Sequence, residues 1–357
     1  MSLKVGIVGL ANVGKSTLFN ALAESEQAEI GDYPFTTIDP NIAMVEVPDK
    51  NLDKLQKFLA VAKKIPAVVE FVDIAGLIKG AHKGEGLGNQ FLDHIRRMNA
   101  LIIIVRAFES KIASFEKISP KDQLEIILEE LRQKDRETLI RKEEELRHAA
   151  LGDRKLEPYL ALLEKIIQDL DKGKNLQEFY KTKDKDEKKF IKSLFLLSLK
   201  PHFLVINVLE SDVINDAKKY GFNDKTAIII SAKTEKELND LSEMDQKEYL
   251  ATLGLEEKAL KRIIKKSYQL LDLITFYTYK PRDLVQAWSL KAGASILRAA
   301  SKIHTDFAKG FIKAEVASIK DLLEFKSLDE AIHHGKIRAK GKDYEVKAGD
   351  LIYIHHR

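Results

Sequence analysis

Apolar and polar positions along the chain fall into three regimes. In the first, short apolar runs alternate with stretches of helical spacing. Residues 4–9 form an apolar run ending in glycine, and helical spacing resumes over 16–23. Further runs occupy 68–72, 101–105, 203–206 and 227–230. Unbroken apolar runs separated by helices predict a parallel sheet covered on both faces. Such sheets present ligand sites beyond the carboxyl ends of their strands.

The second regime, 121–199, interrupts that alternation. Leu124, Ile127, Leu128 and Leu131 recur at helical spacing, followed by Leu139, Ile140 and Leu146. A turn at Gly152 and Asp153 leads into Leu160, Leu163, Ile166, Ile167 and Leu170. Two antiparallel helices with an apolar seam and charged outer faces are expected. The polar stretch 171–187, with its Lys-Thr-Lys-Asp-Lys-Asp run, reads as a loop. The third regime, 273–357, is strand-rich, with strands expected at 275–279, 285–289, 311–316 and 351–355, and another at 344–346 between Gly341 and Gly349. The predicted class is α/β: a mostly parallel sheet at 1–120 and 200–272, an inserted helical hairpin at 121–199, and a small α+β module at 273–357.

Composition narrows the options. A chain of 357 residues with 45% apolar and 32% charged side chains is globular. Its longest apolar run is about six residues, far short of the ~20 of a membrane span. Residues 1–10 lack the basic flank and cleavage site of a secretion signal. No cysteine is present, which excludes disulfides, thiolate metal sites and cysteine nucleophiles and agrees with a cytoplasmic setting. The net charge of +4 is too small to announce nucleic-acid binding by itself.

The first chemical motif is Gly9-Leu10-Ala11-Asn12-Val13-Gly14-Lys15-Ser16, a match to G-x-x-x-x-G-K-[ST] between a strand and a helix. Its glycines let backbone N–H groups wrap a phosphate chain at a helix N-terminus. The loop with Thr17 is the candidate phosphate site. There Lys15 serves the β and γ oxygens, and the Ser16 hydroxyl is a candidate Mg²⁺ ligand. Nucleotide switches add a Thr that senses the γ-phosphate and a strand-ending Asp before a glycine turn. Thr37 lies between the first helix and the next strand, and Asp73 ends a strand running into Ile74-Ala75-Gly76. Asp73 and Thr37 are candidate metal ligands, and the Gly76 amide a γ-phosphate sensor.

Guanine-specific switches carry Asn-Lys-x-Asp. Here the corresponding residues are Asn207-Val208-Leu209-Glu210, followed by Ser231-Ala232-Lys233. The missing Lys and the longer Glu210 disfavour guanine. Asn207 and the Val208 backbone are expected to meet the adenine edge, so ATP is the expected nucleotide and GTP the weaker one. Glu210 is either part of that base site or an exposed loop carboxylate. Leu77 stands where Ras-like enzymes carry a water-orienting Gln. The added positive charge is therefore sought in a monovalent cation, K⁺, beside Asn12. His82 is read as a loop histidine.

These motifs resemble the YchF family of Obg-related P-loop ATPases. The resemblance rests on GLANVGKSTLFN (9–20), YPFTTIDPN (33–41), FVDIAGLIKGAHKGEGLGNQFL (71–92), the Asn207–Glu210 variant and HTDFAKGFIKAE (304–315). It covers nearly the whole chain. It implies an ATPase with a helical insert, a β-grasp-like TGS domain at 273–357, and association with the ribosome in translation or stress regulation. It also implies that insert and TGS domain form a clamp for RNA or ribosomal partners, with Lys336, Arg338, Lys340 and Lys342 as the densest basic run. The family's histidine after the Val-Arg-x-Phe-Glu strand end has no counterpart in 110–119. Two other readings stay open at this level: a nucleotide-ordered binding module with negligible turnover, and an ordinary GTPase.

Overall fold

The structure, a computed structural model, describes residues 3–25, 41–74, 87–109, 118–174, 176–214, 216–223 and 226–357. In chain order the strands are β1 (Lys4–Val8), β2 (Ile42–Glu46), β3 (Lys63–Ile65), β4 (Val68–Asp73), β5 (Ala100–Arg106), β6 (His202–Asn207) and β7 (Ala227–Ile230). They continue as β8 (Leu273–Lys280), β9 (Leu284–Lys291), β10 (Phe311–Ser318), β11 (Arg338–Lys340) and β12 (Asp350–His356). The chain divides into two compact units, Lys4–Ala21 with Phe71–Ala259, and Met1–Leu3 with Leu22–Glu70 and Leu260–Arg357.

In the first of these units strands run in the order β4-β1-β5-β6-β7. β1 pairs parallel with β5, β5 with β6 and β6 with β7. The apolar side chains of β5 are wholly buried, as expected of a central strand covered on both faces. All five strands expected here lie within a residue or two of their predicted bounds. Parallel pairing brings the carboxyl ends of β1, β6 and β7 to one edge, so the loops that follow them meet there.

The insert is the helical hairpin expected. Helix Pro120–Ala150 starts with Ser119 as N-cap and proline in its first turn. It returns through helix Glu157–Asp171, and Asp153 caps the 3₁₀ turn between them. Leu139, Leu162, Leu163, Ile166 and Leu170 form its core. Asp135, buried, fastens the long helix to the returning chain by accepting from Leu197 N at 2.7 Å, Ser198 N at 2.8 Å and Ser198 Oγ at 2.6 Å. The loop expected over 171–187 is instead partly helical, with helices Leu176–Lys181 and Lys185–Ser193. The second begins with a reciprocal cap in which Asp184 and Glu187 satisfy each other's backbone N–H groups. Leu176, Ile191 and Leu194 then close over the hairpin core, which the charged run had concealed.

In the other unit the sheet order is β11-β10-β12-β8-β9-β3. β8 and β9 form an antiparallel hairpin, β10 pairs antiparallel with both β11 and β12, and β12 meets β8 in parallel. Phe276, Leu290, Ala314, Val316 and Ile352 pack one face of this sheet against helix Ile296–Ile303. The strand expected at 344–346 reduces to a single bridge between Ser295 and Glu345. Val346 enters the core and the Tyr344 hydroxyl donates to Asp350 at 3.0 Å, which turns that segment away from pairing. The extra strand is β11, inside the basic run. β3 pairs with β9 although it lies more than 200 residues earlier in the chain.

Candidate functional site

The loop after β1 opens helix Lys15–Ser25. Gly14 has φ +101°, and a Cβ there would lie 2.3 Å from Asn207 Nδ2. A Cβ at Gly9 would lie 2.6 Å from the Ile104 carbonyl oxygen. Both positions admit only glycine, for conformational freedom at the first and for close backbone approach at both. Helix Lys15–Ser25 thus starts at the loop's end, with Leu18 N donating to Gly14 O at 2.9 Å. Its first N–H groups lack helical partners and are available to an anion.

Lys15 is buried, at 7% exposure, and its Nζ donates to the Leu10 carbonyl at 2.8 Å. Burial holds the Lys15 pKa below the usual lysine range, opposed by the negative charge of Asp73. The ammonium is therefore folded back on its own loop, near the carboxylate that ends β4. Asp73 Oδ1 is buried with no hydrogen-bond partner among the described residues. An orphaned carboxylate oxygen on a residue that interacts with Lys15, whose chain neighbour Ser16 is exposed, fits a hard divalent cation, which takes oxygen ligands.

Lys15 and Ser16 line one cleft of about 660 Å³, a size suited to a small-molecule ligand. One wall is Asn12 and Gly14 to Thr17; the other is Asn207 to Ser211 with Ser231 to Thr234, and Phe108 contributes a ring. The sequence-predicted phosphate residues and the two base-side motifs are thus brought together. Val13 is buried in the loop behind this wall. Thr37, Gly76, Leu77 and His82 lie outside the described residues.

Asn207 has two partners within the protein. It is buried, its Nδ2 donates to Val13 O at 2.9 Å, and its Oδ1 accepts from Ala232 N at 3.0 Å. The amide clamps the phosphate loop to the loop after β7, and a second Nδ2 hydrogen remains for a base edge. Val208 N likewise donates to Ile230 O at 2.8 Å. Glu210 is held by two hydroxyls: Tyr249 donates to Oε1 at 2.8 Å and Thr234 to Oε2 at 3.2 Å. Ser231 caps helix Ala232–Glu237, and Lys233 points outward with 84% of its side chain exposed, 3.5 Å from Glu237.

Sequence reasoning missed Phe108, Arg106, Thr234 and Tyr249. Arg106 ends β5, and its Nη1 donates to Asn12 O at 3.2 Å while its guanidinium lies 5.8 Å from the Phe108 ring centroid. Gln123 fixes this strand end from the insert helix, accepting from Arg106 N at 2.9 Å and donating to Arg106 O at 2.8 Å. The signal available was the position of Arg106 and Phe108 directly after the central apolar run. Thr234 and Tyr249 carry no local signal.

A parallel sheet with a glycine-bounded phosphate loop after its first strand, and a cleft at its carboxyl edge, defines a P-loop nucleotide-binding protein. Residues 4–142 match a family model described as a 50S ribosome-binding GTPase, and residues 273–357 match the YchF GTPase C-terminal family, described as a protein of unknown function (DUF933). The chain is 40% identical over 361 residues to the ribosome-binding ATPase YchF of Escherichia coli O157:H7, covering 99% of this chain and 98% of the relative. It is 39% identical over 366 residues to the ribosome-binding ATPase YchF of Bacillus subtilis (strain 168), covering 99% of both. A solved structure of the Schizosaccharomyces pombe YchF GTPase superposes with a TM-score of 0.87 at 34% identity, covering 99% of this chain and 98% of that one. The chain belongs to the YchF family.

Proposed function

We propose that the chain is an ATP-hydrolysing nucleotide switch that uses Mg²⁺, binds GTP less well and associates with the ribosome, as the named relatives do. The observation that carries this reading is the phosphate loop and its buried Lys15 lining one cleft, with the Lys15 charge interacting with Asp73, one of whose buried oxygens has no partner among the described residues. Backbone N–H groups from Asn12 to Thr17 bind the phosphate chain, and Lys15 exchanges its contact with Leu10 O for the β and γ oxygens. Ser16 and Asp73, with Thr37, would hold Mg²⁺, whose positive charge would offset the negative charge of the phosphates. Gly76 is assigned the γ-phosphate sensor.

A potassium ion beside Asn12 fits less well. The Arg106 guanidinium already donates to the Asn12 carbonyl and repels a second cation there.

We assign 1–120 and 200–272 to the nucleotide-binding domain, 121–199 to the insert and 273–357 to a TGS-type module. The insert and that module are the surfaces assigned to ribosomal or RNA partners. Within the basic run, Lys336 Nζ lies 5.6 Å from the Phe325 ring centroid and Lys340 Nζ 4.9 Å from that of Tyr344. Arg338 is exposed on the same strand. Among the described residues no helix is long and apolar enough to cross a membrane, and the cytoplasm is the compartment we assign.

The test is titration of nucleotide-free protein with fluorescent ATP and GTP analogues in Mg²⁺ buffer, followed by phosphate release and by co-sedimentation with ribosomes. Mg²⁺-dependent ATP binding with slow phosphate release supports the switch. ATP binding without turnover favours the nucleotide-ordered module. GTP binding equal to or tighter than ATP returns the chain to the ordinary GTPases.

A further inference from the structure

We propose that Tyr249 is a positioning residue for base choice: with Thr234 it holds the Glu210 carboxylate in the cleft wall, and so denies guanine the paired acceptor it needs. This rests on the nucleotide-binding reading above and goes further by naming the group that selects the base.

Glu210 stands three residues after Asn207, where a guanine-specific site presents its carboxylate, and it lines the same cleft as the phosphate loop. Neither oxygen is idle. Oε1 accepts from the Tyr249 hydroxyl at 2.8 Å, and Oε2 accepts from Thr234 Oγ1 at 3.2 Å. The Thr234 hydroxyl is itself 2.9 Å from Ser231 Oγ, and Thr234 is buried at 5% exposure. Tyr249 is half-buried on helix Glu243–Thr252, which Leu250 anchors in the protein. The two hydroxyls come from different elements, so the carboxylate is fixed in direction as well as position.

The chemistry of the two purines makes that direction matter. Guanine offers N1–H and the N2 amine side by side, a pair that one carboxylate accepts only with both oxygens turned toward it. Adenine offers an N6 amine beside the N1 lone pair, so a carboxylate facing the same edge meets a like charge at one oxygen. Holding both oxygens against Tyr249 and Thr234 withdraws the attraction for guanine and spares adenine the repulsion. Glu210 is exposed, so the discrimination rests on withholding a hydrogen bond to a charged carboxylate, which is stronger than one between neutral groups.

The test is equilibrium binding of ATP, GTP and inosine triphosphate to the full chain, wild type and Tyr249→Phe, in Mg²⁺ buffer. Wild type is expected to prefer ATP. Tyr249→Phe removes one hydroxyl, frees Oε1 and is expected to lower the GTP-to-ATP Kd ratio by about tenfold. Inosine triphosphate, which lacks the N2 amine, is expected to gain less than GTP. Adding Glu210→Ala to Tyr249→Phe is expected to abolish the gain, since the carboxylate is its agent. A ratio that does not move, or equal weakening of all three nucleotides, overturns the proposal and leaves the ATPase reading in place. Wild-type protein that binds neither ATP nor GTP overturns both. Should thermal unfolding show that Tyr249→Phe is not folded, Thr234→Val releases the other oxygen and carries the same expectation.

Discussion

At the phosphate end of the cleft the working groups are backbone N–H groups and one lysine, while at the base end they are side chains already engaged with one another. Gly14 and Gly9 shape the first end because no Cβ fits there. Asn207, Glu210, Thr234 and Tyr249 shape the second through bonds between elements far apart in the chain. The contrast teaches that a site built from backbone is read from spacing, whereas one built from side-chain partnerships is read from coordinates. It also predicts different responses to mutation. Damage at the phosphate end should affect every nucleotide alike, and damage at the outer base end should alter the choice among them.

The largest effect is expected from Lys15→Ala. Its ammonium is the buried charge in the loop, and removing a charged partner from a desolvated phosphate site costs about 3 kcal/mol, or roughly 100-fold in affinity. Calorimetric titration should show ATP and GTP weakened together. A selective loss of one nucleotide would break the division between the two ends. Gly14→Ala comes next. It forces a side chain into φ +101° and against Asn207 Nδ2, which should destabilise the protein by about 2–4 kcal/mol in urea unfolding. An unchanged midpoint would mean that the loop adapts at little cost.

Asn207→Ala separates the clamp from a base reader. Its removal leaves the Val13 carbonyl and the Ala232 N–H without their side-chain partner, a loss of about 2 kcal/mol of stability. Both ATP and GTP should weaken, by similar factors, because the loop itself loosens. A larger loss for ATP than for GTP would restore the adenine contact expected from the sequence. The Tyr249→Phe experiment is the counterpart at the outer base end, where the ratio moves instead.

Much of the nucleotide-binding sheet was legible because its strands are unbroken apolar runs and its phosphate loop is a contiguous pattern. β3 was not, since three residues, Lys63, Lys64 and Ile65, form no apolar run and become a strand only by pairing with β9. β11 was concealed for a related reason: its charged residues sit at a sheet edge, where polarity is tolerated. In the site, Lys15, Ser16 and Asp73 carry their chemistry in their type and place. Asn207 lies in the cleft, as its spacing predicts, but its bonds to Val13 and Ala232 are invisible in the sequence, because spacing cannot say which groups an amide meets. Tyr249 lies 39 residues beyond Glu210, and no periodicity links them.

The smallest effect is expected from Lys233→Ala, and it is useful for that reason. In sequence Lys233 belongs to the Ser-Ala-Lys motif after β7, and so was counted with the base-side residues. In the fold it has 84% of its side chain exposed, beside Glu237 one helical turn away, a solvated i,i+4 pair on the rim. Its backbone lines the cleft, but its charge faces water, where ions screen it. Truncation should therefore change ATP and GTP affinities less than about twofold and leave their ratio intact. A loss of tenfold or more would show that the side chain folds over the bound base. The base end would then be completed by the nucleotide itself, and the contrast with the ready-made phosphate end would become one of timing as well as material.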